Sequence, residues 1–86
     1  MIIRFTKQAE KDLARMDKPV AKELVDFLEN SISVLADPRS DGRALSGEWR
    51  GYWRYRLGKY RIICKIVDEE ITIIVIKIGP CDSVYK

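Results

Sequence analysis

Polar and apolar positions change period along the chain, and each change predicts an element. Residues 2–5 (IIRF) are a short apolar run ahead of a helix start and read as a first strand. Thr6 is placed to cap a helix over residues 7–16, with Ala9, Leu13 and Met16 on one face. Lys18-Pro19 restarts the chain, Pro being suited to a first helical turn. Val20, Leu24, Phe27, Leu28, Ile32 and Leu35 then recur at helical spacing until Asp37-Pro38 stops the helix. Two helices joined by so few residues predict an antiparallel helical hairpin.

After Trp49 the period falls to two. Gly58-Lys59 between alternating runs predicts a two-residue β-hairpin turn. That turn registers Leu57 with Tyr60, Arg56 with Arg61, Tyr55 with Ile62, Arg54 with Ile63, Trp53 with Cys64 and Tyr52 with Lys65. A turn at Asp68-Glu69-Glu70 leads into a strand over 71–78, with Ile71, Ile73 and Val75 facing the core, and Gly79-Pro80 is expected to break it. The stretch 36–51 (ADPRSDGRALSGEWRG) reads as one long loop; its Arg39, Arg43 and Arg50 are within reach of the basic face, with Arg39 and Arg43 assigned first to a solvated loop. The predicted fold is a single α+β domain over residues 1–86: an N-terminal strand, a helical hairpin, and an antiparallel three-stranded meander completing one sheet, with helices on one face.

Charge alters this picture at one place. Between Arg50 and Lys65 stand six basic residues (Arg50, Arg54, Arg56, Lys59, Arg61, Lys65) and no acid, while the whole chain is only +3. The rest of the molecule is therefore net acidic, so the positive charge is local, as at a site for a polyanion. Period-two alternation sends Trp53, Tyr55, Leu57, Tyr60, Ile62, Cys64 and Ile66 to the core and Tyr52, Arg54, Arg56, Arg61 and Lys65 to the other face. Arg56 opposite Arg61 is a like-charge pair, unfavourable until something neutralises it. A solvated outer sheet face is the plain alternative.

Composition excludes several classes. Eighty-six residues bury roughly 60–65% of their unfolded surface, too little for a large internal pocket. At 47% hydrophobic the chain is too apolar for disorder, and its apolar runs are too short to span a bilayer. The opening residues lack the pattern of a secretory leader, so a cytoplasmic protein is expected, with no membrane partner. There is no histidine, which removes His-based acid–base chemistry and leaves two cysteines, Cys64 and Cys81, too few for a zinc site. No dinucleotide-binding or P-loop fingerprint is present, and no metal or cofactor is expected.

Taken together, Leu45-Ser46-Gly47, the run YWRYRLGKYRIICKIVD from Tyr52 to Asp68, Ile78-Gly79 and the terminal Val84-Tyr85 resemble the RelE/ParE toxin superfamily over essentially the full chain. The resemblance implies the toxin half of a type II toxin–antitoxin pair, with a small cognate antitoxin covering the basic face. RelE-type members cleave messenger RNA in the ribosomal A site without a metal, the ribose 2′-hydroxyl attacking the adjacent phosphate. By position, Arg54, Arg56 and Arg61 match that family's phosphate-facing cations, and Tyr85 matches the tail tyrosine that orients or stacks on a base. Tyr52, Lys65, Arg50 and Lys59 are the accompanying RNA-binding candidates. Pro80-Cys81 stands where many relatives read His-Arg, so Cys81 marks a substituted catalytic position and an attenuated endoribonuclease is expected. Two alternatives remain: a ParE-like inhibitor of DNA gyrase, and a non-toxic relative that binds only its antitoxin.

Overall fold

The computed structural model describes residues 2–32, 34, 37–68 and 72–80. Strand β1 (Ile2–Phe5) runs into Thr6, whose extended backbone and side-chain oxygen, accepting the Ala9 N–H at 3.1 Å, start helix α1 (Lys7–Ala14). The cap is where the sequence places it, because Thr supplies an acceptor for an otherwise orphaned N–H. The helix ends two residues before the expected Met16, with Arg15 at its C-cap.

Helix α2 (Lys18–Asp26) carries Pro19 in its first turn and passes into π-helical winding over Phe27–Ile32. Leu24, Leu28 and Ile32 are all buried, four residues apart. Four-residue spacing drifts by about 40° per step on an α-helix. The slower winding of a π-turn offsets that drift and keeps the three side chains aligned on the sheet. Leu35 lies outside the described residues.

The sheet has five described strands in the order β1-β5-β4-β3-β2, comprising β2 (Arg43–Ala44), β3 (Trp53–Leu57), β4 (Tyr60–Val67) and β5 (Thr72–Pro80) besides β1. β1 lies parallel to β5 and the other pairs are antiparallel. The α+β architecture is as expected, with one strand more. Residues 36–51 are not simply a loop: they hold β2 and a 3-10 turn at Gly47–Trp49. β5 also continues through Gly79 to Pro80, which pairs with Tyr60. Proline is tolerated there because it occupies the strand's last position, where a missing N–H interrupts no interior ladder.

Both helices cover one face. Ala9, Leu24, Leu28 and Ile32 pack against Tyr55, Ile62, Cys64, Ile73, Val75 and Ile78. Fully burying a large aliphatic side chain contributes about 1.5–3 kcal/mol, so this layer is the main source of stability.

One irregularity decides what the opposite face carries. Cys64 pairs with Val75, but the residue before it, Ile63, pairs with Lys77, so Ile76 is an extra residue in β5. This β-bulge shifts the alternation by one position. On one side of it Ile73 and Val75 point to the core; on the other Ile78 does, and Lys77 goes to the arginine-bearing face. Without the bulge Lys77 would share the parity of Val75 and face the helices.

The bulge is clamped from β1 and α1. The Thr6 N–H donates to the Val75 carbonyl at 3.0 Å and the Thr6 hydroxyl donates to the Ile76 carbonyl at 2.9 Å. Two turns on, the Ile78 N–H donates to Asp12 Oδ2 at 3.0 Å, while Gln8 Nε2 holds Asp12 Oδ1 at 2.8 Å. β1 is too short to pair with this part of β5, so side chains of α1 satisfy the edge instead. Thr6→Ala removes both a helix cap and a clamp on the bulge. It should lower unfolding stability by about 2 kcal/mol, read as a reduced urea midpoint at unchanged slope. A change below about 0.5 kcal/mol would mean that the bulge does not depend on Thr6.

Candidate functional site

The basic face is built on the hairpin of β3 and β4. Gly58 has φ +59°, and no non-glycine residue has positive φ among those described. A positive φ at the first central position alone is the pattern of a type II′ turn, whose twist suits a two-residue hairpin. The register follows the turn: Trp53 opposite Cys64, Arg54 opposite Ile63, Tyr55 opposite Ile62, Arg56 opposite Arg61 and Leu57 opposite Tyr60. β2 then brings Arg43 opposite Arg54. Two like-charge pairs therefore sit side by side on one surface.

A tightly turned segment ahead of β2 fixes the rim. Asp37 accepts from the Arg39 N–H at 3.0 Å through its carboxylate, and from Ser40 N and Oγ at 3.1 and 2.8 Å through its carbonyl. The Arg39 guanidinium donates to Asp68 Oδ1 at 2.7 Å and lies 5.7 Å from the centre of the Trp53 ring, tying the segment to the end of β4. Tyr55 donates its hydroxyl to the carbonyl of buried Pro38. Gly42 lies flat on β3: an added Cβ would sit 3.2 Å from Tyr55 Cε1 and 3.4 Å from Trp53 Cε3. This close approach favours glycine, since any side chain would have to displace the Tyr55 and Trp53 rings by a few tenths of an ångström, and it sets where Asp41 and Arg43 emerge.

Asp41, Arg43, Arg54, Arg56 and Arg61 together line an open cavity of about 460 Å³. Four guanidiniums and one carboxylate make it strongly cationic, and arginine forks suit bidentate contact with phosphate oxygens. A larger groove of about 620 Å³ lies between α1 and β5, but it mixes Asp12, Asp17, Arg15 and Lys77, and Asp12 is already engaged by the Ile78 N–H. The arginine cavity is the better candidate for an anionic ligand.

The comparisons with known proteins converge on one family. The ParE toxin family of type II toxin–antitoxin systems (parDE) matches residues 3–85. The chain belongs to this family. Toxin RelG of Mycobacterium tuberculosis (strain ATCC 25618 / H37Rv) is 27% identical over 84 residues, covering 98% of this chain and 94% of that protein. Among solved structures, the toxin–antitoxin complex RelBE2 from Mycobacterium tuberculosis aligns with TM-score 0.83 and 28% identity, covering 92% of this chain and 95% of that one. An E. coli toxin RelE mutant, solved with a peptide of the antitoxin RelB, aligns with TM-score 0.71 and 22% identity over 93% of this chain and 82% of that one, a likeness of fold. The protein is thus a type II toxin–antitoxin toxin of the RelE/ParE superfamily.

In this ParE-family chain the candidates from sequence separate into groups. Arg54, Arg56 and Arg61 meet at the cavity. Tyr52 does not pair with Lys65 as expected, because the β3–β4 ladder stops at Trp53. Its ring instead meets Trp49 edge-on at 5.5 Å. The carbonyl of Tyr52 is taken by Leu45 N–H and its N–H by the Trp49 carbonyl, which closes the 3-10 turn and pulls Tyr52 out of the strand. Lys65 is exposed and pairs across to Ile74; Arg50 is exposed beyond the 3-10 turn; Lys59 lies at the hairpin tip, 5.9 Å over the Tyr60 ring. None of these four lines the arginine cavity. Cys81 and Tyr85 lie outside the described residues.

Two contributors were not among the sequence candidates for the site. Asp41 reaches the cavity through the turned segment, and Lys77 reaches the same sheet face through the bulge. Arg43, Arg54, Ile63 and Lys77 form one row across β2, β3, β4 and β5. Ile63 is wholly buried within it, and Lys77 Nζ stands 5.9 Å from the Trp49 ring centre, so this half of the face is covered rather than open.

Tyr55 and Cys64 support the face from beneath. Burial pushes both the phenol and the thiol well above their ordinary values, so neither offers an ionised group to the site. For Tyr55 the sign is clear: the unfolded chain loses the phenolic proton first, so stability present below about pH 10 falls as pH rises above it. Tyr55→Phe should cost about 1 kcal/mol at pH 7 by orphaning the Pro38 carbonyl, and should flatten the alkaline loss of stability. Urea melts of both proteins between pH 7 and 11 check this. An unchanged alkaline slope would place the titrating group elsewhere.

Proposed function

We propose that this toxin is a ribosome-dependent messenger RNA endoribonuclease whose arginine cavity receives the scissile phosphate. The observation that carries this reading is the convergence of Arg43, Arg54, Arg56 and Arg61 on one cavity. Four like charges on adjoining strands repel one another, and a phosphate passing to a pentacovalent, more negative state relieves that repulsion. Attack by the ribose 2′-hydroxyl on the neighbouring phosphate needs charge stabilisation and proton transfer, with no metal. Tyr85, outside the described residues, is assigned to the scissile nucleotide, stacking or donating a hydrogen bond there. Pro80-Cys81 takes the position where many relatives of the superfamily carry His-Arg, which makes the acid side of the reaction weak and the enzyme attenuated. Tyr52, Lys65, Arg50 and Lys59 serve the flanking backbone. A cognate antitoxin, like the partners in the relatives' complexes, binds over this face, and the protein works in the cytoplasm.

The match to the ParE family favours a second reading, inhibition of DNA gyrase without hydrolytic chemistry. Primer extension on programmed ribosomes separates the two, comparing this chain with a Pro80→His, Cys81→Arg version. Slow cleavage by this chain and faster cleavage by the double variant is the expected result. Arg61→Ala should then lower the rate by about 10²–10³-fold, the usual loss on removing one preorganised group at developing charge. Intact message with both proteins, together with double-strand DNA breaks in expressing cells, would overturn the nuclease reading in favour of gyrase.

A further inference from the structure

We infer that Asp41 is the proton acceptor of this site, taking the 2′-hydroxyl proton as the hydroxyl attacks the phosphate held by the arginines. The inference rests on the endoribonuclease reading and adds to it the base which that reading lacks. The chain contains no histidine. Guanidinium groups stay protonated and cannot accept, so the four arginines lining the cavity do not qualify. Among the described residues of that lining, Asp41 alone has a basic oxygen in its side chain.

Its placement is built rather than incidental. The segment carrying it is fixed at Asp37, Pro38, Arg39 and Gly42 by the contacts described above, and leads within two residues to Arg43, opposite Arg54. Asp41 is exposed and lines the cavity, and no described residue forms an ion pair or hydrogen bond with its carboxylate. A carboxylate placed only to balance the arginines would be expected to pair with one of them. This one borders the cluster with its lone pairs available to an incoming hydroxyl.

The step balances. The 2′-oxygen loses its proton to Asp41 as the O2′–P bond forms, and the P–O5′ bond breaks. The departing 5′-oxygen takes a proton from water, and protonated Asp41 returns one to the hydroxide left behind. The products are a 2′,3′-cyclic phosphate and a 5′-hydroxyl end.

The test is single-turnover cleavage on programmed ribosomes across a pH series, in whichever of this chain and the Pro80→His, Cys81→Arg version cleaves faster. Asp41→Asn should lower the rate by about 10²–10³-fold and abolish the acid limb of the pH–rate profile, and Asp41→Glu should restore part of both. Binding to ribosomes carrying a 2′-O-methyl message, which cannot be cleaved, should be unchanged or tighter in Asp41→Asn, since only negative charge is removed. That binding also shows that the variant is folded. An Asp41→Asn protein that cleaves within about threefold of its parent, with the same pH profile, would overturn the assignment while leaving the nuclease reading intact. Equal losses of binding and cleavage would also overturn it, by making Asp41 a structural residue. If neither parent cleaves, the nuclease reading itself fails, and the assignment with it.

Discussion

β5 must satisfy two faces that ask for different residues in different phases, and the clamp between Thr6 and the Ile76 bulge is what allows it. Strict alternation sends every second residue of a strand to the same side. Along residues 72–80 that rule would put Lys77 among the buried aliphatics, with Ile78 on the cationic face. The Thr6 hydroxyl and N–H, bound to two successive carbonyls of β5, hold the extra residue in place and reverse the phase. The same side chain caps α1, so the helix that covers the core and the bulge that re-aims the strand are fixed at one residue. Asp12, from the second turn of α1, extends the clamp to Ile78. The helical layer therefore serves both as a hydrophobic cover and as the edge partner of the strand completing the site's sheet.

On the other side of the sheet the scaffold works against electrostatics. Arg43 opposite Arg54 and Arg56 opposite Arg61, each an exposed arginine facing a partly buried one, cost on the order of 1 kcal/mol apiece. Those costs are small beside the buried layer of Tyr55, Ile62, Cys64 and their helical partners. The rigid core is thus able to hold a surface that is disfavoured without a ligand and relieved by an anion. That is the usual relation between a functional site and the fold beneath it: local strain is tolerated because packing elsewhere over-determines the backbone.

How much of this the sequence discloses depends on the range of the interaction involved. The hairpin register from Leu57–Tyr60 to Trp53–Cys64 is legible because Gly58-Lys59 and period-two alternation are local signals that agree. The Thr6 cap is legible for the same reason. β2 is not: Arg43-Ala44 is two residues in a polar, glycine-rich stretch, and its strand character exists only through pairing with β3. The bulge at Ile76 is hidden because residues 73–76 (IIVI) are uniformly apolar and show no break in alternation at which to place it. Lys77 was invisible as a member of the face for that reason. Tyr52 leaves the ladder because its N–H closes the 3-10 turn on the Trp49 carbonyl and its carbonyl goes to the Leu45 N–H, and neither contact is signalled by its neighbours in sequence. Asp41 escaped notice since nothing in its neighbours states that the segment folds back onto the arginines; that depends on contacts to Trp53, Tyr55 and Asp68, far along the chain.

The two target readings share the arginine surface and part at proton transfer. Messenger RNA and a protein partner with acidic side chains would both be drawn to four clustered guanidiniums, so the cations decide little between them. A carboxylate left unpaired at the rim is different. Against an acidic partner it is repulsive and serves no evident end, and pairing it with a neighbouring arginine would remove the penalty. Beside a ribose hydroxyl it is the one group in the described lining that can take a proton, and any pairing would weaken it as a base. Exposed carboxylates without a partner are common on protein surfaces, so Asp41 bears on the choice only through the chemistry proposed for it. If Asp41 is the base proposed above, Pro-Cys at residues 80–81 slows the departure of the 5′-oxygen without removing the means of attack.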